Sequence, residues 1–428
     1  MSDKRFANID VEGKTAELPL FEGSEGQLGI DISQLKAKTG AITLDNGFSN
    51  TASSISDITY INGDESELRI RGYDIEDIVH NCSFREAAYL MIHGALPTRL
   101  QLDDFGDWLN EHSMIDEDMH HFFSGFPKDS HPMGMMASMI TSLSSFYPSL
   151  SYENDDCFDI TAARLISKVR TIAAFSYKKS LGEPVVYPRH DLSYCKNFLN
   201  MMFSSPVNDY KIDPLHAKIL DKLLILHIDH GQNCSTTAVK LIGSARANLY
   251  AAISAGICAL WGPLHGGANQ AVVEMLEEIY ESDADVSQYV DMAKDKSNDF
   301  RLMGFGHAVY KSYDPRAKLA KELVDELFEK RDIKDPLLGV AKELEAAALA
   351  DPYFQERKLY PNIDFYTGIL YRALNIPTNM LTVMFVIGRL PGWIAQWKEF
   401  SDKGGRIFRP RQLYTGPTAR GFVKLDDR

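Results

Sequence analysis

Apolar residues recur three and four positions apart along most of the chain after residue 75. This spacing is the period of one helix face, so it predicts amphipathic helices. The pattern is clear at Phe84, Ala88, Leu90 and Met91, and again at Ile219, Leu223 and Leu226. Residues 317–331 and 337–350 repeat it. Nothing after residue 75 resembles successive βαβ units, and the pattern therefore predicts a mainly α fold.

Three apolar segments refine this prediction. Residues 270–300 contain nine acidic and two basic residues around an apolar stripe, which is typical of a solvated amphipathic helix. Residues 379–400 include Pro391 and Gly392, which we expect to kink or split a helix. Residues 249–264 are strongly apolar but number only 16, whereas a membrane span needs about 20 residues. A buried core helix is predicted there instead.

The first 80 residues follow a different pattern. ITYI at 58–61 and LRIRGY at 68–73 alternate at period two, and the turn-rich segment NGDESE lies between them. Two such runs around a turn are the signature of a β-hairpin. We therefore predict a short β-containing segment at the N-terminal end of the mainly α fold.

Composition narrows the class of protein. The 428 residues suffice for two or three domains of about 150 residues, or for one large body with an inserted lobe. A hydrophobic fraction of 45% and a charged fraction of 24% are typical of soluble globular chains. The net charge of -14 would repel a phosphate backbone or anionic lipid. Nucleic acid and membrane surfaces are therefore not expected as partners.

The cysteines and the first residues bear on location. Cys82, Cys157, Cys195, Cys234 and Cys258 are scattered without CxxC spacing, so neither a disulfide framework nor a thiolate zinc site is expected. The first ten residues lack the apolar stretch of a secretory signal. We therefore predict a cytoplasmic protein.

Two segments resemble phosphate-binding motifs only in part. Gly13, Lys14 and Thr15 match the end of a P-loop, but Asn8 stands where the leading glycine is required. GFGHAV at 304–309 lacks the third glycine of a dinucleotide-binding motif. Neither a nucleotide hydrolase nor a Rossmann dehydrogenase is supported.

The segment HIDHGQN at 227–233 leaves three interpretations open. His227 and His230 are three residues apart with Asp229 between them, so they could share a helix face as metal ligands. No HExxH pattern or third ligand follows. The histidines could instead pack at a helix end, or one of them could contact an anionic substrate.

Three further segments place titratable residues in unusual surroundings. His265 lies in GPLHGGAN, where glycines permit close approach of a ligand, and His307 lies in GFGHAVYKSYDPR, nine residues before Arg316. Asp364 lies in YPNIDFYTG between Ile363 and Phe365, a context that would desolvate the carboxylate and raise its pKa.

These groups suit one kind of chemistry when taken together. Guanidinium groups such as those of Arg316, Arg389 and Arg409 bind carboxylates bidentately. Neutral imidazoles donate hydrogen bonds to carbonyl oxygens, and a desolvated aspartate can remove a carbon-bound proton. The set therefore indicates enolate chemistry on a polycarboxylate.

At this point the motifs carry a family resemblance. GPLHGGAN, RLMGFGHAVYKSYDPRA, LYPNIDFYTG and RPRQLYTG resemble the signature segments of the citrate synthase family, in the same order and at similar separations. YPRHDLSYCKNFLNMMF and GDESELRIRGY resemble its longer bacterial, hexamer-forming branch. The resemblance covers essentially the whole chain.

The resemblance implies an activity and roles for named residues. The activity is the condensation of acetyl-CoA with oxaloacetate followed by hydrolysis of citryl-CoA to citrate and CoA, the first step of the tricarboxylic acid cycle. Asp364 would remove the methyl proton, His265 would hold the thioester oxygen, and His307 would donate to the oxaloacetate carbonyl. The implied oxaloacetate-binding residues are His230, Arg316, Arg389 and Arg409, with the last supplied by a neighbouring subunit. The implied CoA contacts are Leu264, Gly304, Phe305, Gly306 and Asn362. No cofactor or metal is implied.

The resemblance also implies an architecture. Residues 1–50 would form the β-containing segment, 51–270 with 385–428 a large helical domain, and 271–384 a smaller helical domain that closes over the active site. The subunits would assemble as a hexamer, a trimer of dimers.

The chain departs from the family pattern at several positions. Gly231 follows His230 where the family usually has glutamate. In members inhibited by NADH, a basic residue stands at the position of Glu111 and a cysteine at that of Val207. The residues that do match this NADH site are His112, Tyr147, Arg164 and Lys168. An acid near a pyrophosphate should weaken binding, so NADH inhibition is left as a hypothesis.

Two alternative functions remain. A 2-methylcitrate synthase would use propionyl-CoA, and one methylene provides only about 1–3 kcal/mol of discrimination. A metal-dependent hydrolase built on His227, Asp229 and His230 belongs to a different class and predicts loss of activity with a chelator. The charge distribution favours small anions as substrates, because residues 301–320 carry a net charge of +3 and residues 385–420 one of +5.

Overall fold

The computed structural model describes residues 5–148, 155–282, 284–295 and 297–428, although the side chains of 155–157 are left out. The chain divides into two compact units. The first unit consists of residues 1–55 with 407–428, and the second consists of residues 56–406. The domain boundaries implied by the family resemblance stay a prediction.

The first unit contains the predicted β structure near the N-terminus. Strands β1 (Phe6–Val11), β2 (Lys14–Glu22) and β3 (Leu28–Ile30) form an antiparallel sheet, followed by the short helix α1 (Leu35–Thr39). The two-residue turn at Glu12 and Gly13 has φ angles of 52° and 78°, which suits the right-handed twist of a tight hairpin. Ala16, Leu18 and Leu35 form the small core of the first unit.

The second unit begins with the predicted hairpin. Strands β4 (Thr59–Asn62), β5 (Glu67–Ile70) and β6 (Tyr73–Asp74) form a second antiparallel sheet. The side-chain oxygen of Asn62 accepts the backbone N–H groups of Asp64 and Glu65, at 3.2 and 3.3 Å, and closes the turn. The hairpin prediction is confirmed.

Helices make up most of the second unit, as predicted. They are α2 (Ile75–Asn81), α3 (Phe84–His93), α4 (Arg99–Glu111), α5 (Met119–Gly125), α6 (Pro132–Phe146), α7 (Asp155–Leu181), α8 (Tyr194–Phe203), α9 (Pro214–Leu226), α10 (Cys234–Ser244), α11 (Leu249–Leu260), α12 (Ala268–Ser282), α13 (Val286–Lys294), α14 (Pro315–Arg331), α15 (Pro336–Ala350), α16 (Pro352–Glu356), α17 (Ile363–Ala373) and α18 (Leu381–Asp402). Their apolar faces share one continuous core. The mainly α fold class is confirmed.

Helix α18 corrects one expectation. It runs without a break from Leu381 to Asp402, although Pro391 lies inside it. Almost every residue from 381 to 397 is buried, because α18 packs against α3, α7, α9, α10 and α11. Packing on all sides outweighs the local cost of the proline, which is about 3 kcal/mol. Of the two expected effects of Pro391, the split is therefore wrong, and the kink stays a prediction.

The other apolar segments are helical, as predicted, but the single helix expected over 270–300 is wrong, because α12 ends at Ser282 and a second helix, α13, starts after its N-cap Asp285. Helix α11 is buried within the second unit, and α12 buries Val273, Met275, Leu276 and Ile279. Over the described ranges, none of the helices has both the length and the apolar character that a membrane crossing requires.

Candidate active site

The loop before His307 and the loop before Asp364 are joined by hydrogen bonds. The backbone N–H of Asn362 donates to the carbonyl of Gly304 at 2.9 Å, and the Asn362 side chain donates to the carbonyl of Gly306 at 2.9 Å. Both glycines have a positive φ, near 80°. A Cβ on Gly304 would lie 2.8 Å from Val272 and 3.1 Å from the backbone of Phe365. Glycine is therefore required where this loop meets α17.

The His307 ring is held in one tautomer. Its Nδ1 accepts the backbone N–H groups of Val309 and Tyr310, at 3.0 and 3.3 Å. Burial and the nearby Arg316 lower the pKa of His307 to about 4. The imidazole is therefore neutral at pH 7, and its one proton is on Nε2.

His230 and His307 lie side by side. Their ring centroids are 5.1 Å apart, and the ring of Tyr310 lies 4.8 Å from His307 and 5.5 Å from His230. His230 Nε2 and the Tyr310 hydroxyl form a 3.1 Å hydrogen bond. Burial and Arg316 lower the pKa of His230 well below its usual value, so this ring is also neutral.

Arg316 is buried and fixed by an acid two residues earlier. Asp314 caps the N-terminus of α14, and its carboxylate accepts Nε and Nη2 of Arg316 at 3.1 and 2.9 Å. The same carboxylate accepts the backbone N–H of Ile363 at 3.2 Å. This bidentate pair links the start of α14 to the start of α17, which carries Asp364.

Asp364 lies in the first turn of α17. Burial is the largest influence on its carboxyl group and raises the pKa to about 6, against the opposing effect of Arg316. One carboxylate oxygen, Oδ1, is buried and has no hydrogen-bond partner among the described residues. The sequence prediction of a desolvated carboxylate is confirmed. Such a group is a stronger base than an exposed aspartate and is ionised at pH 7.

His265 is oriented by the start of α10. The backbone N–H of Ser235 donates to His265 Nε2 at 3.3 Å, and the Ser235 hydroxyl lies 2.8 Å from the same nitrogen. An N–H donor facing Nε2 requires a lone pair there, so the proton is on Nδ1. Burial lowers the pKa of His265 to about 4, which keeps the ring neutral.

Arg389 extends from α18 towards these groups. Its Nε donates to the carbonyl of His227 at 2.6 Å, while Nη1 is buried without a hydrogen-bond partner in the part of the chain that is described. Burial lowers its pKa to about 10, so the group stays charged at neutral pH. A buried cation with a free donor is suited to an anionic ligand.

The segment 227–231 forms part of this site, and the side chains of His227, Asp229 and His230 each contact a different partner. His227 packs against Phe385, with ring centroids 4.4 Å apart, while His230 bonds Tyr310. Asp229 Oδ2 accepts the Thr59 hydroxyl at 2.5 Å and the backbone N–H of Gly231 at 3.0 Å. Across the described ranges, no group of three or more His, Cys, Asp and Glu side chains is placed to hold a metal ion. The metal-dependent hydrolase therefore has no ligand set among the residues that the structure describes.

The residues predicted to contact CoA fall around the same loops. Gly304, Phe305, Gly306 and Asn362 form the paired loops that precede His307 and Asp364. Leu264, next to His265, is 97% exposed and is available to a ligand.

Arg409 belongs to the first unit, and its environment there is cationic. It is exposed and lines an open cleft of about 380 Å³ with Lys36, Ile42, Pro410, Arg411 and Gln412. The three basic side chains make this cleft suitable for an anionic surface.

The four residues of the hypothetical NADH site lie together. Arg164 and Lys168 sit over the ring of Tyr147, at 4.1 and 5.2 Å from its centroid. His112 is close enough for Arg164 and Lys168 to lower its pKa further, after burial. Glu111 opposes this shift, so it too lies near the cluster.

Four positioning residues were missed by the sequence reasoning. These are Tyr310, Ser235, Asp314 and Thr59. Asp314 carried a signal, because aspartate followed by proline marks a helix start and places its carboxylate beside the next residues. The other three contact residues that are distant in sequence, which periodicity does not reveal.

Comparisons with known proteins show the family to which the chain belongs. The sequence model of the family "Citrate synthase, C-terminal domain" matches residues 47–411. Citrate synthase 1 of Mycobacterium tuberculosis is 50% identical over 424 residues, which is 99% of this chain and 98% of the relative. The chain is an enzyme, and it belongs to the citrate synthase family.

Solved structures show the same fold. The crystal structure of citrate synthase from Pyrobaculum aerophilum matches with a TM-score of 0.80 and 32% identity, covering 96% of this chain and 97% of that one. The ternary complex of carboxymethyl coenzyme A and oxaloacetate with citrate synthase from Thermoplasma acidophilum matches with a TM-score of 0.83 and 29% identity. That match covers 90% of this chain and 100% of the other.

Proposed function

We propose that the protein condenses acetyl-CoA with oxaloacetate and hydrolyses the resulting citryl-CoA to citrate and CoA. The observation that carries this proposal is that two neutral histidines and a carboxylate of raised pKa surround two buried arginines. Arg389 acts on His265 and Asp364, and Arg316 acts on His307 and Asp364. A thioester methyl group is too weakly acidic for a carboxylate in water. Donors aimed at the developing oxyanion must therefore supply several kcal/mol.

In the first step, Asp364 takes a proton from the methyl carbon of acetyl-CoA. The electron pair moves onto the thioester oxygen, which His265 stabilises through Nδ1–H. Because the histidine is neutral, its hydrogen bond strengthens as negative charge develops, and no full proton transfer is needed. Burial of both groups strengthens this interaction, since the local dielectric constant is low.

In the second step, the enolate carbon attacks the carbonyl carbon of oxaloacetate. His307 polarises that carbonyl through Nε2–H and stabilises the alkoxide that forms. Arg316 and Arg389 hold the two carboxylates, and His230 adds a hydrogen bond. The alkoxide takes up a proton, which offsets the one that Asp364 removed. Water then cleaves the thioester of citryl-CoA: its hydroxyl group joins the acyl carbon, and its other proton goes to the sulfur of the departing CoA.

The test is a condensation assay with purified protein. Acetyl-CoA and oxaloacetate should yield citrate and one free CoA thiol per turnover, and omission of oxaloacetate should abolish thiol release. Propionyl-CoA serves as the matched alternative substrate. Absence of citrate would overturn the proposal, and a higher kcat/KM with propionyl-CoA would reassign the enzyme as a 2-methylcitrate synthase.

The assembly belongs to the same proposal. We propose a cytoplasmic homo-oligomer of the bacterial hexameric branch, in which residues 271–384 close over oxaloacetate. Arg409 would enter the active site of a neighbouring subunit, where a guanidinium can hold a substrate carboxylate. The exposure of Arg409 in a cationic cleft supports this role.

Regulation by NADH depends on the cluster around Tyr147. Arg164 and Lys168 supply positive charge for a pyrophosphate, whereas Glu111 subtracts from it. We propose that NADH binds there more weakly than it would with a basic residue at position 111. Titration of activity with NADH should show weak inhibition in the wild type and stronger inhibition in Glu111→Lys. Equal inhibition of both proteins would contradict the assignment.

A further inference from the structure

The β4–β5 hairpin contacts both segments that carry the oxaloacetate histidines. At its base, the Thr59 hydroxyl donates to Asp229, the residue before His230. Ile61 lies over Gly231, since a Cβ at Gly231 would be 3.6 Å from the end of the Ile61 side chain. One end of the hairpin is therefore fixed to the His230 segment.

The turn of the hairpin is fixed to the segment after His307. The backbone N–H of Lys311 donates to the carbonyl of Gly63 at 2.9 Å, and the Ser66 hydroxyl donates to the carbonyl of Tyr313 at 2.7 Å. The Ser66 and Ser312 hydroxyls also form a hydrogen bond. Residues 311–313 are thus joined to the turn by backbone and side-chain bonds.

Gly63 makes this contact possible. A Cβ on Gly63 would lie 2.0 Å from the carbonyl oxygen of Val309 and 2.7 Å from its carbonyl carbon. The obstacle is backbone, so a side chain at this position forces the turn and the segment apart. Val309 is also the residue whose N–H fixes the tautomer of His307.

The hairpin is rigid enough to hold the His230 and His307 segments at a fixed separation. It belongs to a three-stranded sheet, and Ile58, Leu68 and Ile70 bury it in the main core. The contacts at its two ends are therefore tied to one body. His230 lies between the contacts at Asp229 and Gly231, and His307 precedes the contact at Lys311. The ring centroids of the two histidines are 5.1 Å apart.

We propose that the β4–β5 hairpin is a positioning element that sets the separation of His230 and His307 and so determines the affinity for oxaloacetate. This inference rests on the proposed function, because it assigns both histidines to oxaloacetate. Under that function the CoA contacts Gly304, Phe305 and Gly306 lie before His307 and are held by hydrogen bonds to Tyr360 and Asn362, whereas the hairpin holds the segment after His307. A change in the hairpin should therefore reduce the affinity for oxaloacetate much more than the affinity for acetyl-CoA.

The test is Gly63→Ala in the full-length protein. We expect kcat/KM for oxaloacetate to fall at least about tenfold, since misplacement by about 1 Å can cost 100-fold. KM for acetyl-CoA should stay within about twofold of the wild type. Amide hydrogen exchange without substrate should be faster at Lys311, and also at Val309 and Tyr310, whose N–H groups hold His307.

A second variant and a control guard against misfolding. Thr59→Val keeps the shape of the side chain but removes the hydrogen bond to Asp229. Like Gly63→Ala, it should lower kcat/KM for oxaloacetate and leave KM for acetyl-CoA nearly unchanged. Asp64→Asn is the matched control, because Asp64 lies in the same turn and its exposed side chain forms a 2.9 Å surface ion pair with Lys311, while its backbone bond to Asn62 is kept. We expect the control to change neither KM by more than about twofold, as exposed ion pairs contribute little.

The outcomes separate this inference from the proposed function. A wild type without condensation activity would overturn the proposed function, and the exchange measurement would still test the hairpin. Active wild type with an unchanged kcat/KM for oxaloacetate in Gly63→Ala, or equal losses for both substrates, would overturn the hairpin proposal alone.

Discussion

The backbone N–H of Ser235 donates to Nε2 of His265, and this contact determines which nitrogen of the ring carries the proton. His307 has the opposite arrangement, because two backbone N–H groups occupy its Nδ1. One ring therefore presents Nδ1–H and the other Nε2–H. Backbone donors keep their direction during the reaction, so both tautomers are fixed before substrate binds.

Crossed amide substitutions test these tautomers. The asparagine side chain places an N–H near the position of Nδ1, and the glutamine side chain places one near Nε2. His265→Asn should therefore retain more activity than His265→Gln, whereas His307→Gln should retain more than His307→Asn. The mismatched variants should lose about 100- to 1000-fold in kcat, the usual effect of removing one oxyanion donor. If the same amide, asparagine or glutamine, retained more activity at both positions, the assigned tautomers would be refuted.

The pH dependence of activity should report Asp364. Its pKa of about 6 means that the carboxylate is protonated, and inactive as a base, on the acid side of that value. We expect kcat/KM for acetyl-CoA, measured between pH 5 and 8 with saturating oxaloacetate, to rise with pH and to level off above about 7. His265 and His307 have pKa values of about 4 and stay neutral over this range. A flat profile would contradict the assignment of Asp364.

Asp364→Asn separates the catalytic from the structural role of the carboxylate. Loss of the base should lower kcat by about 100- to 10,000-fold. The folded protein binds the Asp364 proton more tightly than the unfolded chain, because the pKa rises from 3.8 to about 6 on folding. This stabilisation is present below 3.8 and is lost as the pH rises through about 6.

The asparagine variant lacks this dependence. Relative to the wild type, its free energy of unfolding should increase between pH 5 and 8, by on the order of 1–2 kcal/mol. Urea unfolding of both proteins at the two pH values measures the difference. A variant that loses stability relative to the wild type as the pH rises would show that the carboxylate is not desolvated.

Complementation tests whether Arg409 acts in a neighbouring subunit. Arg409→Ala and Asp364→Asn should each be nearly inactive as homo-oligomers. Co-expression should restore about a quarter of wild-type activity, because a mixed pair of subunits combines the intact Asp364 of one with the intact Arg409 of the other. Arg409 acting within its own subunit would give no recovery. The two variants, purified separately and combined without subunit exchange, provide the unmixed control and should stay inactive.

The sequence predicted those features that depend on local pattern. Period and turn composition located the helices and the hairpin, and the apolar neighbours of Asp364 indicated its raised pKa. The split of α18 was wrong, because the prediction considered Pro391 alone and not the helices around it. Tyr310 and Ser235 were missed because their partners, His230 and His265, are 80 and 30 residues away. Signature segments supplied the candidate site residues, but only the structure shows which nitrogen of His265 and of His307 is left without a backbone donor.

Asp314 offers the sharpest test of coupling within the site. Its carboxylate compensates the buried Arg316, and it also raises the pKa of Asp364 by proximity. Asp314→Asn keeps an N-cap for α14 but leaves the guanidinium without a counter-charge, so the protein should lose about 3–5 kcal/mol of stability.

The same substitution should shift the pH profile. Removal of a negative charge near Asp364 makes its ionised form more favourable, so its pKa falls and the acid limb of kcat/KM moves to lower pH. Lys318→Gln is the matched control, because Lys318 lies on the same helix but is exposed and pairs only with surface acids. Lys318→Gln should leave the acid limb of kcat/KM at the same pH as in the wild type. If the acid limb moved to higher pH in Asp314→Asn, the prediction would be contradicted. Asp314 would then act on Asp364 by holding Arg316 near it, and not through its own charge.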